Sequence, residues 1–326
     1  PPIARVAVAI GPWLLGARSN RDGEPVMYLE GERIIYQTGD YRSIITAARL
    51  GNLPFFLLLL LGTWMLARSA IGREGAALAL FFTVTIPPIV GNAGLATLDI
   101  APIGFALIAL HLFCSWLDDP DRRMAAGFGV SAATAMFCKL SFIPFLAVAC
   151  AALFAWRFWV IRRSRADMPV FTEEHRKALP LMIWIGFLVG WAAYGFQLAP
   201  LVVHEPGTEI GLLERIVAYP IYPAVLQHLS VGLLDVARLS AHGWGSYLLG
   251  ETGRYGWWYY YPVGLFYKTP LPVLAAGLVG FALLTRESLR TNRWRLAAPA
   301  IVALAVLAFC ATSRINLGIR HVMIVY

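Results

Sequence analysis

Asn92-Ala-Gly-Leu-Ala-Thr-Leu-Asp-Ile-Ala-Pro102 sets one carboxylate, Asp99, at the joint between two long apolar runs. An aspartate at such a joint stands where a membrane helix emerges into the head-group layer, near enough to lipid to meet a lipid-borne substrate and wet enough to ionise. The residue type also allows a plainer reading, in which Asp99 caps the next helix and Pro102 sits in its first turn.

Outward from this joint the composition settles the class. Of 326 residues, 59% are hydrophobic and 14% charged, and the mean hydropathy is +0.64. Those values lie outside the range of soluble domains and predict a polytopic membrane protein. Spanning segments are expected at about 50–67, 75–95, 100–117, 124–138, 142–161, 180–203, 261–285 and 296–312, eight in all, with 124–138 the shortest. Residues 1–16 are apolar but too short to cross the roughly 30 Å hydrocarbon layer, which predicts a helix lying along the interface. A polar connection with Glu24, Glu30, Glu32 and Asp40 follows. The first residues, Pro-Pro, and the last, in a fresh apolar run at Tyr326, read as a fragment truncated at both ends.

The net charge of +8 is carried by arginines in short loops, as topology determinants are, so it does not indicate nucleic acid. Loops 68–74, 118–123, 162–179 and 286–295 hold 13 of the 27 Lys and Arg, which predicts that they are cytoplasmic. Loops 17–49 and 204–260, with Asp99, Lys139 and Arg320, then face the exterior. The runs 118–123 and 286–295 read as solvated charge. The 204–260 loop is too long for a connector and contains an amphipathic run, 216–239. Cys114, Cys138, Cys150 and Cys310 lie in or beside apolar segments without metal-site spacing, so neither zinc nor a disulfide framework is expected.

Three further clusters could carry chemistry. Lys139 follows an apolar run at the same face as Asp99. It could snorkel to the interface, or hold a phosphate as a point charge. Tyr259, Tyr260 and Tyr261 belong to an aromatic cluster that fits an interfacial belt, whereas Lys268 is read as lying deeper than a belt needs, an ionisable group inside a span. Ser313-Arg-Ile-Asn-Leu-Gly-Ile-Arg-His321 places Arg314, Arg320 and His321 in an external turn, against the trend for positive charge. An anionic partner would account for it.

In order along the chain, Pro1-Pro-Ile-Ala-Arg5, Ala48-Arg-Leu50, Ala96-Thr-Leu-Asp99, Cys138-Lys-Leu-Ser141, Trp257-Trp-Tyr-Tyr-Tyr-Pro-Val263, Tyr267-Lys-Thr-Pro-Leu-Pro272 and Asn316-Leu-Gly-Ile-Arg-His321 resemble the bacterial branch of the dolichyl-phosphate-mannose protein mannosyltransferase family, related to the aminoarabinose transferases of lipid A. The resemblance implies an all-α GT-C-type transmembrane bundle in the bacterial inner membrane. It implies an inverting transfer of a sugar from a polyprenyl-phosphate carrier to a protein, lipid A or glycan acceptor on the extracytoplasmic side. Asp99 matches the family's second acidic position, Lys139 the lysine near the carrier phosphate, with Cys138 in place of the usual threonine, and Arg320-His321 the Gly-x-Arg-His turn. Pro1-Pro2 match the end of a His-Pro-Pro motif, and the resemblance puts the principal acidic pair upstream of this sequence. A divalent metal is left open.

Displacing a polyprenyl phosphate needs cations for the charge left on the leaving group, and a carboxylate to take the acceptor's proton. Lys139 and Arg320 suit the first task and Asp99 a supporting part in the second. A transporter or flippase of a lipid-linked or anionic solute is the alternative, although no internal repeat is visible. A purely structural subunit would leave Lys268 and the charged turn without a role.

Overall fold

The computed structural model describes residues 1–19, 27–164, 170–201, 217–316 and 318–326. It is 75% helical, and the two-stranded hairpins β1–β2 (Leu198–Ala199 with Tyr222–Pro223) and β3–β4 (Ser246–Leu248 with Glu251–Gly253) are its strands among these residues. The all-α class stands. Among the described residues, six helical stretches are long and apolar enough to cross a membrane. The helices in order are α1 (Ile3–Leu14), α2 (Met27–Tyr36), α3 (Tyr41–Leu50), α4 (Leu53–Thr85), α5 (Pro87–Ala93), α6 (Ile100–Asp118), α7 (Arg122–Cys138), α8 (Phe142–Arg163) and α9 (Glu173–Ala193). Beyond β2 come α10 (Ala224–His242), α11 (Tyr260–Lys268), α12 (Leu271–Thr291) and α13 (Ala298–Ala311).

The difference from eight expected spans has local causes. The 33 residues of α4 would reach about 50 Å if straight. Yet the Asn52 side-chain amide donates to the Leu95 carbonyl at 2.8 Å, and the ten residues 86–95 could bridge at most about 34 Å. The run therefore folds back, and it does so at Gly72, whose φ of 83° and ψ of −174° are not helical. The segments 50–67 and 75–95 are the two limbs of this element and its continuation in α5. The 124–138 segment forms α7, 17 residues long and rich in Ala and Gly, packed between α6 and α9. Residues 261–285 are split between α11 and α12, because Pro270 lacks an N–H and biases Thr269 toward the extended conformation it adopts. Helix α9 starts earlier than expected, at a capping box in which Thr172 and His175 exchange side-chain and backbone bonds.

Small residues set the packing of the central helices. A Cβ on Gly62 would lie 2.8 Å from the Leu107 side chain, and one on Gly104 2.7 Å from the Leu59 backbone, so α4 and α6 approach as closely as backbones allow. The core runs from Ile100 and Leu110 of α6 through Leu153 of α8 to Val306 of α13. Helix α1 is 12 residues long, shorter than a span, and packs on α3 and α7.

The basic turns gather at one end of the bundle, and two of them are more than solvated charge. Asp118 accepts from Arg157 Nε at 3.2 Å, Trp294 Nε1 at 2.9 Å and Arg295 Nε at 2.6 Å. Arg295 also donates to the Cys114 carbonyl, and Arg157, only 3% exposed, to that of Val170. This clasp ties the ends of α6 and α8 to the start of α13. Neither charge run reveals it alone, since the partners lie 39 and 177 residues apart.

Candidate functional site

The opposite end is built on the 92–102 joint. Proline at both first positions of α5 starts a helix that stops at Ala93, and Asn52, fully buried, pins the turn through Leu95. Asp99 occupies the cap position of α6, but its side chain makes no capping bond. Its Oδ1 instead accepts from Lys139 Nζ at 2.7 Å. Lys139 is the residue at which α7 stops, extended at φ −156° and ψ 116°. Because α6 and α7 form an antiparallel hairpin, the start of one and the end of the other meet. The carboxylate is 8% exposed and the lysine side chain 22%, so this lysine is turned inward rather than snorkelling.

The 313–321 turn is brought to this pair by aromatic scaffolding. Asn316 Oδ1 accepts from the Trp257 N–H at 2.8 Å, its carbonyl accepts from Ser246 Oγ at 3.1 Å, and the Tyr261 hydroxyl donates to the Ile315 carbonyl at 3.1 Å. Gly256 is required here. Its φ is 62°, and a Cβ would lie 1.7 Å from Asn316 Oδ1. After Gly318, at φ 98°, a 3₁₀ turn over Ile319–His321 packs against α5 and α11. Burial pushes the His321 imidazole down to about 4, with Lys139 and Arg320 acting in the same direction and Asp99 against it. At neutral pH the pair thus has an uncharged imidazole beside it. Arg320 is exposed and makes no ion pair among the described residues.

Not every expected residue joins. Lys268, read as an ionisable group inside a span, is exposed at the last turn of α11, where the chain leaves the helix. A cation there is favoured by the helix dipole, and nothing brings it to Asp99. Tyr261 is 3% exposed and acts as a strut, while Tyr259 and Tyr260 are half-buried. The 204–260 loop does lie over the site in part. A Cβ on Gly232 of α10 would be 2.4 Å from Leu140, next to Lys139, and His228 stacks on Tyr194 with ring centroids 4.3 Å apart. Residues 204–216 of that loop, and Glu24 of the polar connection, lie outside the described residues.

Four buried polar atoms at this end have no hydrogen-bond partner among the described residues: Asn52 Oδ1, Thr97 Oγ1, Ser141 Oγ and Asn316 Nδ2. An unpaired buried polar atom costs about 1–3 kcal/mol, and Thr97 and Ser141 each stand two residues from a member of the ion pair. Such atoms suit water or the polar part of a ligand. Asn52 escaped the sequence reading, and Asn316 entered it only as part of the final turn, although an asparagine beside a long apolar run is a visible signal. No three His, Cys, Asp or Glu side chains gather as a metal site would need among the described residues. Comparison with models of known families, with curated proteins and with solved structures finds no match.

Proposed function

We propose that this chain is an inverting membrane glycosyltransferase of the GT-C type, which takes a sugar from a polyprenyl-phosphate carrier at the outer face of the bacterial inner membrane. One observation carries the reading: Ala96-Thr-Leu-Asp99, Cys138-Lys-Leu-Ser141 and Asn316-Leu-Gly-Ile-Arg-His321, far apart in the chain, converge on one end of an apolar bundle. In this reading Lys139 and Arg320 take the charge that builds on the leaving phosphate, and the neutral His321 offers a hydrogen bond. Asp99, already engaged by Lys139, is a positioning residue for that ammonium and is not assigned the part of base. The Thr97 and Ser141 hydroxyls are free to bond phosphate or sugar oxygens. The acceptor is a hydroxyl of a protein, of lipid A or of another glycan.

The test is transfer of radiolabelled sugar from polyprenyl phosphate, by membranes carrying the chain, to these three acceptor classes. Transfer that falls with Lys139→Ala supports the reading. Carrier lipid moved across vesicles without any transfer to acceptor would replace it with that of a flippase.

A further inference from the structure

At the basic end, beside the end of α8, an open groove of about 520 Å³ lies between Arg163 and the residues Phe281, Thr285, Arg286, Leu289 and Arg290 of α12. Phe281, Thr285 and Leu289 are four apart, as are Arg286 and Arg290, so one face of α12 supplies the cations and the apolar wall together. We infer that this groove is a binding site for an anionic phospholipid, its phosphate among the guanidinium groups and an acyl chain running along Phe281 toward Leu278.

Charge complementarity is the first argument. Three guanidinium groups surround the groove, and among the described residues the one carboxylate paired with any of them is Glu287, 3.9 Å from Arg290. Arg163 is held over the Trp159 ring, 5.5 Å from its centroid, and keeps its donors for a ligand. Arginine presents a planar fork of donors that fits phosphate oxygens in pairs. The second argument is Thr285, which lines the groove and whose Oγ1 is buried without a partner among the described residues. A phosphate or glycerol oxygen would satisfy it.

The third argument separates lipid from a soluble anion. The groove's face of α12 continues away from the arginines as Leu278, with Val279 beside it, both more than half exposed. At about 1.5 Å per residue, Arg290 stands roughly 18 Å along the axis from Leu278, about the depth from the phosphate level toward the middle of a bilayer. A free phosphate has no use for that apolar track, whereas an acyl chain does. Basic pockets between membrane helices are a recurrent form of headgroup site. This inference does not depend on the glycosyl-transfer reading.

The experiment uses the whole chain in nanodiscs holding equal amounts of phosphatidylglycerol and phosphatidylcholine, with retained lipid read by native mass spectrometry after release. The expected result is a preference for phosphatidylglycerol that drops about tenfold in the Arg286→Ala, Arg290→Ala double variant. Phe281→Trp, which fills the groove and leaves every charge in place, is expected to remove the same adduct, so a misfolded arginine variant would not decide the matter alone. Equal retention of the two lipids, or a preference that both variants keep, overturns the inference. So does loss of the adduct on adding millimolar inorganic phosphate to the wild-type chain at constant ionic strength, which would mark the groove as a site for a free anion.

Discussion

Lys139 reaches back across forty residues to place its ammonium 2.7 Å from Asp99, at the point where α7 ends and α6 begins. Each residue resolves an ambiguity in the other. The aspartate does not cap its helix and the lysine does not snorkel, because a mostly buried carboxylate and ammonium are better satisfied by one another than by lipid head groups.

The pair should therefore behave as a unit. Asp99→Asn leaves a partly buried ammonium unpaired and is expected to lower stability by about 1–3 kcal/mol, with Asp99→Asn, Lys139→Met together costing less than the sum. Thermal melting of the four proteins in detergent checks this, and additive losses would show that the two side chains are not coupled. In a transfer assay Lys139→Ala is expected to cost about 100-fold in turnover and Asp99→Asn clearly less.

His321 makes stability depend on pH in a defined window. Its folded value is about 4 against 6.5 for the free side chain, so the unfolded chain takes up a proton first as pH falls. The neutral-His contribution is complete above 6.5 and is lost between 6.5 and 4, by about 3 kcal/mol at most. Melting temperature should fall more steeply from pH 7 to 5 in the wild type than in His321→Gln. Parallel profiles would contradict the buried, uncharged imidazole.

Gly256 and Gly250 both have positive φ, 62° and 95°, but only Gly256 faces a neighbour. Gly250→Ala should cost about 1 kcal/mol of backbone strain. Gly256→Ala adds a collision with Asn316, so it should destabilise by more and also impair sugar transfer by shifting Arg320 and His321. Equal effects in melting and transfer assays would mean that the 313–321 turn is not held by the aromatic segment.

Sidedness can be read with single cysteines at exposed positions of the two ends. With residues 286–295 cytoplasmic, Tyr247→Cys is expected to react with an impermeant thiol reagent in intact cells and Arg293→Cys only after permeabilisation. The native Cys114, Cys138 and Cys310 are buried and Cys150 half-buried, which keeps the background low. The opposite labelling pattern would invert the orientation.

What the sequence determined by itself is local. Hydropathy over about twenty residues, together with glycine and proline punctuation, was enough for the membrane class and for α1 as a piece too short to span, though not for the number of spans, and the amphipathic run 216–239 overlaps α10. Local reading also erred locally: Lys268 reads as lying inside a span because the apolar run continues past it, whereas Pro270 ends the helix beside it. Which polar groups meet was decided only by the tertiary structure. Asp99 finds Lys139, Asp118 finds Arg157 and Arg295, and Asn316 finds Trp257 because α4 folds back at Gly72, α6 approaches α4 through Gly62 and Gly104, and the aromatic segment closes over the final turn. A pairing distance is the sum of many such backbone placements, and no periodicity within one element records it.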